Sequence, residues 1–477
     1  MLFNSYIFIF AFLPFTFIVY FYLNHKKAHN SSKIFLVASS LFFYAWWNVI
    51  YLPIILCSIL FNYTFSNFFL RDNSKKPLLF LGILFNLSLL GFFKYYDFFV
   101  ENINFIFSSH AELLDLALPL AISFFTFQQI SYLVDSYRGE IKNQKFLDYA
   151  LFVTFFPQLI AGPIVHHKEM MPQFADENRQ KRDFKNITMG IFIFSLGLFK
   201  KVVIADSFAV WATHGFDIAE QLNLFAAWFT SLSYTFQLYF DFSGYTDMAI
   251  GVALLFNIKL PINFNSPYKA KDIQDFWRRW HMTLSRFLRD YIYIPLGGNR
   301  RGELLTYTNL MLTFVLGGLW HGAGWTFLFW GFLHGLALVI HRLWKSFGFR
   351  LYSWLAWFLT FNFINISWVF FRAKEWDDAI KVLGSMFSLD NMVLPKVLES
   401  KLEFLSSYGV DFGFFYWYME TIIWIPLAFL LVLFSKNSME ILDGFTLNYR
   451  TAIFTGILFT AGVVGLNRVS EFLYFNF

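Results

Sequence analysis

The distribution of charge along this 477-residue chain constrains its fold most strongly, because charged residues are missing from several long stretches. None occurs from Met1 to Tyr22, from Phe35 to Leu70 or from Thr421 to Ser435. A helix needs about 20 mostly apolar residues to cross the hydrocarbon core of a bilayer, and such runs recur along the whole sequence. Charged residues make up only 14% of the chain, whereas soluble domains carry about a quarter. The pattern predicts an all-α polytopic membrane protein.

The apolar runs predict about 11–12 transmembrane helices. The first run has no basic segment before it, so we expect a retained span, not a cleaved signal peptide. Basic residues gather in three early loops, and the positive-inside rule predicts that these loops are cytoplasmic and that the N-terminus lies outside. The loops contain Lys26, Lys27 and Lys33, then Arg71, Lys75 and Lys76, then Arg138, Lys142 and Lys145. The predicted spans are 4–23, 33–48, 51–70, 77–98, 116–136, 187–212, 224–240, 304–320, 323–344, 351–371, 416–435 and 451–468.

Three stretches do not resemble simple spans: 146–173 is broken by prolines, 241–260 contains two acids, and 263–302 is aromatic and strongly basic. Irregular backbone at membrane depth is tolerated where it is buried in protein or lines a cavity. We therefore expect re-entrant and interfacial helices around a central tunnel. The chain is predicted to be one membrane domain, with N-terminal helices (1–115), a catalytic core (116–373), an extracytoplasmic loop (374–414) and C-terminal helices (415–477). An amphipathic helix is expected at 376–387.

The segment from Gly317 to Trp325 places His321 between two apolar runs and among four glycines. An ionisable residue inside a membrane is a functional candidate, because its burial costs free energy. Histidine suits proton transfer, since its ordinary pKa is near 6.5. The alternative interpretation is helix packing through small residues such as Gly318 and Gly322, with His321 hydrogen-bonded to a neighbour.

The stretch from Asp275 to Asp290 is predicted to form one helix. At helical spacing Arg278, His281, Ser285 and Arg289 share a face. Arginine forks match the geometry of phosphate groups, so this face is a candidate phosphate site. The alternative is an interfacial helix whose arginines contact lipid headgroups.

For the other polar residues we expect structural roles first. Asp241 and Asp247 are expected to form ion pairs, with arginines of 278–289 as candidate partners, or to orient a histidine. The pair His166 and His167 has no evident third ligand nearby, so no metal site is predicted. Packing roles are expected for His334 and His341. The single cysteine, Cys57, excludes an internal disulfide and is expected to be a buried hydrophobe. Serine-hydrolase and phosphate-loop motifs are missing, and the setting of the arginines argues against nucleic-acid binding.

Six motifs in order give the chain a resemblance to the membrane-bound O-acyltransferase family, in its bacterial branch that acetylates cell-envelope polysaccharides. They are LPLAISFFTFQQISYLVDSYRG, FFPQLIAGPIVHHKEMMPQF, LYFDFSGYTDMAIG, FWRRWHMTLSRFLRDYIYIPLGGNRRG, GGLWHGAGWTFLFWGFLHG and SWVFFRA, which run from about Leu118 to Ala373. The ending FLYFNF is also similar to that branch. The likeness covers most of the chain.

The resemblance implies an O-acetyltransferase of the bacterial inner membrane with His321 and His281 as catalytic residues. His321 is the expected general base, and His281 is expected to orient the thioester or stabilise the oxyanion. The implied donor is cytoplasmic acetyl-CoA, with no permanently bound cofactor. The implied partners are a periplasmic esterase-like protein of the SGNH type and an envelope polysaccharide, with peptidoglycan favoured over alginate. The expected donor-binding residues are Arg278, Arg279, Ser285, Arg289 and Trp320.

Two other functions fit parts of this pattern. One is transfer of D-alanine from a carrier protein to teichoic acid, by a family member that is similar around the two histidines. The other is a transporter or flippase without chemistry, since buried polar residues and broken helices suit transport as well. Covalent transfer by the purified protein would separate an enzyme from a transporter.

Overall fold

The computed structural model describes residues 1–69, 76–141, 145–160, 162–388, 392–413, 418–467 and 473. Arg71, Lys75 and Lys142 of the predicted cytoplasmic loops lie outside these residues, as does most of the FLYFNF ending. The regular secondary structure of the described residues is almost all helix, with one pair of three-residue parallel strands, β1 (Val393–Pro395) and β2 (Asp411–Gly413). The predicted all-α class is confirmed.

Twenty-two α-helices follow one another in the described residues. They are α1 Leu13–His25, α2 His29–Ala45, α3 Leu52–Phe69, α4 Lys76–Leu90, α5 Tyr96–Phe107, α6 Ile122–Tyr137, α7 Phe146–Thr154, α8 Phe156–Leu159, α9 His167–Ala175, α10 Phe184–Phe199, α11 Asp206–Thr213, α12 Leu224–Leu255, α13 Ile273–Trp277, α14 Met282–Leu288, α15 Glu303–His321, α16 Trp325–Ser346, α17 Ser353–Arg372, α18 Trp376–Phe387, α19 Glu399–Leu402, α20 Thr421–Phe434, α21 Ser438–Asp443 and α22 Tyr449–Gly465.

Within the described residues, six helical stretches are long and apolar enough to cross a membrane. They are Phe8–His25, Val49–Phe68, Lys76–Phe107, Phe184–Ile218, Trp325–Ser346 and Ser353–Arg372, and α20 and α22 are shorter apolar helices. Three of the long stretches contain π-helical segments, at Phe8–Phe12, at Gly91–Tyr95, and at Lys200–Ala205 and His214–Ile218. The multi-pass character is confirmed, while the number of crossings stays a prediction.

Two of the three irregular stretches are irregular in the structure. The 146–173 stretch holds the short helices α7, α8 and the start of α9, and 263–302 holds α13 and α14. The third is regular up to Leu255, because α12 continues as one helix of 32 residues through the two acids, although α12 is not among the six stretches named above. The helix tolerates Asp241 because an ion pair compensates that carboxylate.

One compact unit consists of residues 1–198, 245–262 and 442–467. Its core is built from aromatic rings, among them Phe3, Phe8, Phe43 and Phe156, which pack in stacked, edge-on and tilted arrangements. A buried ion pair joins Lys33 Nζ to Asp148 at 2.6 Å. The Cys57 prediction was wrong in this unit, because the thiol is exposed on α3.

The second unit consists of residues 199–244, 263–441 and 468–477. Lys201 Nζ lies 2.7 Å from Asp206 Oδ1 and 2.6 Å from Asp241 Oδ1, with all three side chains buried. The amide of Leu473 also donates to Asp241, at 3.2 Å. The predicted ion pair of Asp241 is thus present with a lysine, and the expectation of an arginine partner was wrong.

The expected amphipathic helix is α18, with the bounds that the sequence predicts. It begins just after α17, whose last residue Arg372 pairs with Asp217. Lys381 on α18 donates to the carbonyl oxygens of Phe216 and Ala219, both at 2.9 Å. These contacts attach α18 to the C-terminal end of the π-helix His214–Ile218.

Candidate active site

Helices α15 and α16 approach each other closely through glycine. A methyl group at Gly331 would lie 2.3 Å from the carbonyl oxygen of Phe314, and one at Gly318 would lie 2.3 Å from that of Phe327. Any larger side chain at either position would separate the two backbones. Small-residue packing and a functional His321 are therefore compatible, and the packing sets where His321 stands.

His321 is the last residue of α15 and is buried. Its ring packs between aromatic side chains, with centroid distances of 4.9 Å to Trp320, 5.2 Å to Trp330 and 5.0 Å to Phe371. The C-terminal end of a helix carries partial negative charge, which favours a protonated imidazole. A base at this position gains that stabilisation when it takes up a proton.

The predicted single helix across 275–290 was wrong. The backbone leaves α13 at Trp277 and enters α14 only at Met282, with His281 in the left-handed region at φ 41°. A non-glycine residue in that region is uncommon and costs conformational energy, so the surrounding contacts must hold it there. Arg278 therefore does not share a helical face with Ser285 and Arg289.

Asn263 holds the His281 ring. Asn263 Oδ1 lies 3.0 Å from His281 Nδ1 and accepts from the backbone N–H and the hydroxyl of Thr283, at 3.3 and 2.9 Å. A backbone N–H can only donate, which identifies the asparagine atom as oxygen. Nδ1 of His281 must then donate, and Nε2 of the neutral ring is an acceptor.

Burial lowers the pKa of His281 to about 3, so the ring is neutral at physiological pH. A neutral ring with an acceptor Nε2 cannot donate a hydrogen bond to an oxyanion from that atom. The arrangement instead suits acceptance of a hydrogen bond or a proton. The oxyanion role inferred from the family likeness therefore fits this geometry poorly.

Both predicted catalytic histidines contact the side chain of Trp320. Its indole packs against His321 and, at a centroid distance of 6.4 Å, against His281. Phe242 of α12 makes an edge-on contact with His281, at a centroid distance of 4.8 Å. Trp320 thus lies in contact with both reactive candidates.

A network of hydrogen bonds around His334, which the sequence analysis missed, lies beside His321. The Trp277 indole donates to His334 Nδ1 at 3.2 Å, so Nε2 carries the ring proton and donates to Ser367 Oγ at 3.0 Å. Trp330 packs on His334 at 4.7 Å and on His321. His334 therefore connects α13, α16 and α17 around the His321 ring, while the half-exposed His341 lies outside this network. No spacing in the sequence marks Asn263 or Ser367 as members.

The predicted donor-binding arginines differ from the buried histidines: they are exposed or half-buried, and two of them form ion pairs. Arg278 and Arg289 are exposed, Arg289 pairs with Asp290 at 2.7 Å, and Arg279 pairs with Asp275 at 2.8 Å. Ser285 is half-buried, and its hydroxyl lies 3.5 Å from the carbonyl oxygen of Trp280. The 263–302 segment contains eight basic and three acidic residues, so it presents a positive surface to an anionic ligand.

Three potential metal ligands do come together, contrary to the expectation that His166 and His167 lack a third partner. Asp135 Oδ2 lies 2.7 Å from His166 Nε2 and 3.2 Å from His167 Nδ1. However, His166 Nδ1 accepts from the amide of Lys168 at 3.3 Å, so its proton sits on Nε2. A protonated nitrogen cannot bind a metal, and Arg138 adds positive charge 3.5 Å from Asp135. The cluster fits a hydrogen-bonded clamp between α6 and α9 better than a metal centre.

Comparison with known proteins gives consistent results. The profile of MBOAT, the membrane-bound O-acyltransferase family, matches residues 9–373. A peptidoglycan O-acetyltransferase of Helicobacter pylori is 51% identical across 100% of this chain and 98% of its own length. A probable alginate O-acetylase of Azotobacter vinelandii is 40% identical across 84% of this chain and 81% of its own. A teichoic acid D-alanyltransferase of Bacillus subtilis is 28% identical across 54% of this chain and 69% of its own.

Proposed function

The chain belongs to the membrane-bound O-acyltransferase family and is an acyltransferase, and on this premise we propose that it carries acetyl groups across the bacterial inner membrane for O-acetylation of peptidoglycan. Peptidoglycan is preferred over alginate because the peptidoglycan enzyme shares more identity with this chain and covers it fully. Because the family consists of acyltransferases, nothing in the comparisons supports the alternative of a transporter or flippase without chemistry.

The observation that carries the proposal is the pair of buried histidines in contact with Trp320. The basic 263–302 segment precedes α15, and His321 lies at the far end of that helix. Acetyl-CoA is the proposed donor, its phosphates bound by Arg278, Arg279 and Arg289 on the cytoplasmic face, with Ser285 and Trp320 nearer the thioester. Arginine forks give such contacts charge and geometry together.

His321 is the proposed general base. The acceptor hydroxyl oxygen forms a bond to the thioester carbonyl carbon while its proton moves to the imidazole. The C–S bond then breaks, the thiolate of CoA leaves and takes up the proton held by His321, and an acetyl ester remains. His281, with Nε2 as an acceptor, orients the thioester by accepting a hydrogen bond from an amide N–H of the pantetheine arm of the donor. The α15 C-terminus stabilises the imidazolium that forms at His321.

The proposal also includes an orientation in the membrane and a periplasmic partner. The N-terminus lies outside, the basic loops lie in the cytoplasm, and a periplasmic SGNH-type protein receives the acetyl group and passes it to the polysaccharide. The 374–414 loop, with α18 attached by Lys381, is the proposed extracytoplasmic surface.

The substitution His321→Ala tests the assignment. A general base typically contributes a factor of about 10²–10⁴, so acetyl transfer from acetyl-CoA by purified protein should fall by that order. The matched control is His110→Ala, an exposed histidine outside the site, which should keep wild-type activity. Wild-type transfer by a folded His321→Ala protein would contradict the role of His321.

D-alanyl transfer remains the second candidate, because a D-alanyltransferase is similar over part of the chain. The same assay separates the two donors. Acetyl transfer from acetyl-CoA with no transfer from a D-alanyl carrier protein supports the first function, and the opposite result supports the second.

A further inference from the structure

A groove of about 400 Å³ lies between α16 and α17. On α16 it is lined at positions 333, 336, 337, 340, 341 and 344, which is one helical stripe. On α17 it is lined at 356, 359, 360 and 363, again one stripe. Ala337, Ala356 and Thr360 are small, which leaves space between two antiparallel helices.

The groove has the length of one membrane leaflet. From Leu333 to Trp344 the helix rises about 16 Å, at 1.5 Å per residue. Half of a bilayer core of about 30 Å is nearly the same length. Trp344 and Ile340 are 42% and 54% exposed, so the groove opens to the surroundings of the helix. An extended hydrocarbon chain therefore fits its length and its lining.

The ionisable groups of the lining are confined to the Trp344 end. Lys271, Asp272 and His341 line the groove there, and Lys271 Nζ donates to Ser353 Oγ at 3.2 Å, at the first residue of α17. Asp272 Oδ1 accepts a hydrogen bond from the backbone N–H of Asp275 at 2.7 Å and lies 3.7 Å from His341 Nε2. Its carboxylate is thus engaged as the cap of α13.

The charge at this end is positive. Lys345 follows Trp344, Arg350 precedes the lining residue Leu351, and both are exposed. Arg342 is already neutralised by Glu303, through two contacts of 3.0 Å. Lys271, Lys345 and Arg350 together outweigh Asp272. An occupant with an apolar tail and a negative head is therefore complementary to the groove.

We propose that this groove binds one anionic phospholipid, with an acyl chain between α16 and α17 and the phosphate beside Lys271 and Lys345. The lipid comes from the leaflet at the Trp344 end, where a tryptophan at headgroup level is typical. Its headgroup contacts the residues that begin α13, and so it stabilises the start of the segment that leads to His281. This binding is independent of the acetyl-transfer proposal.

The experiment uses full-length protein purified in neutral detergent. Phosphatidylglycerol, phosphatidylcholine or inorganic phosphate is added, the melting temperature is measured, and retained lipid is counted by native mass spectrometry. A ligand that binds only the folded protein raises the melting temperature. We expect phosphatidylglycerol to raise it and to be retained at one equivalent, and phosphatidylcholine and phosphate to have little effect.

Two variants and two controls locate the site. Lys271→Gln should remove the preference for phosphatidylglycerol, and Ala337→Phe should abolish retention by filling the groove. The controls are Lys401→Gln in the 374–414 loop and Ala452→Phe on an exposed position of α22, which should behave as wild type. Equal retention of both lipids, an equal effect of phosphate, or unchanged retention in Lys271→Gln would overturn the proposal. Lys271→Gln alone decides the matter if Ala337→Phe does not fold.

Discussion

Asn263 accepts hydrogen bonds from His281 and from both donors of Thr283. This arrangement places the proton of His281 on Nδ1 and leaves Nε2 as an acceptor. It also keeps His281 in a left-handed backbone conformation that few side chains adopt. Asn263 is therefore a positioning residue, because it acts on the reaction only through the ring that it holds.

Asn263→Asp should move the pH dependence of acetyl transfer. The aspartate keeps an acceptor oxygen, but its charge favours the imidazolium and so raises the pKa of His281. A protonated His281 loses its acceptor Nε2, so the acidic limb of kcat/KM should shift to higher pH, with activity recovered in alkaline buffer. Asn263→Leu should instead lose activity at every pH. Identical pH profiles for wild type and Asn263→Asp would contradict this role.

His321 stood out in the sequence because it lies between two apolar runs, whereas His281, in a basic stretch, became a candidate catalytic residue through the family resemblance. The sequence did not reveal their partners. Asn263 lies 18 residues before His281 and Ser367 lies 33 residues after His334, so these contacts depend on how the helices pack. The same holds for Asp135, which reaches His166 across 31 positions of sequence.

At the level of helices, α15 and α16 form a unit through Gly318 and Gly331. The glycine-rich segment around His321 predicted close packing, and the structure adds that the partner is the next helix in the chain. Charge and hydropathy predicted most helices within a few residues. They failed at His281, where a run with helical character is broken by a left-handed residue, and at Asp241, whose compensating Lys201 lies 40 positions away.

Gly331→Ala should disturb the site without changing any reactive group. The added methyl would lie 2.3 Å from the carbonyl oxygen of Phe314, so α16 must move away from α15. Overpacking typically costs about 1–3 kcal/mol of unfolding free energy, and the movement displaces Trp330 from His321. We expect a lower melting temperature and a lower kcat.

The matched control is Gly456→Ala on α22, where an added methyl meets no atom within 4 Å. Replacing a helical glycine by alanine normally stabilises a helix by roughly 0.5–1 kcal/mol. That variant should be as active as wild type and at least as stable. Equal behaviour of the two variants would show that the close approach at Gly331 is not required.

At the scale of the whole chain, charge decides orientation. The positive-inside rule predicts that Lys26 and the 181–185 loop face the cytoplasm, and that the 97–110 and 374–414 segments face outward. This orientation places the basic 263–302 segment where acetyl-CoA is available. The donor route in the proposed function therefore depends on it.

Cysteine labelling in intact cells tests the orientation. Cys57 is the single cysteine of the chain, so Cys57→Ser gives a background without thiols. Into it Lys26→Cys, Lys181→Cys, His110→Cys and Lys401→Cys are introduced one at a time, all at exposed positions. A membrane-impermeant maleimide should label His110→Cys and Lys401→Cys in intact cells, and Lys26→Cys and Lys181→Cys only after the membrane is opened. The reverse pattern would place the arginines on the outer face, where no acyl thioester is supplied, and would contradict both the orientation and the proposed donor.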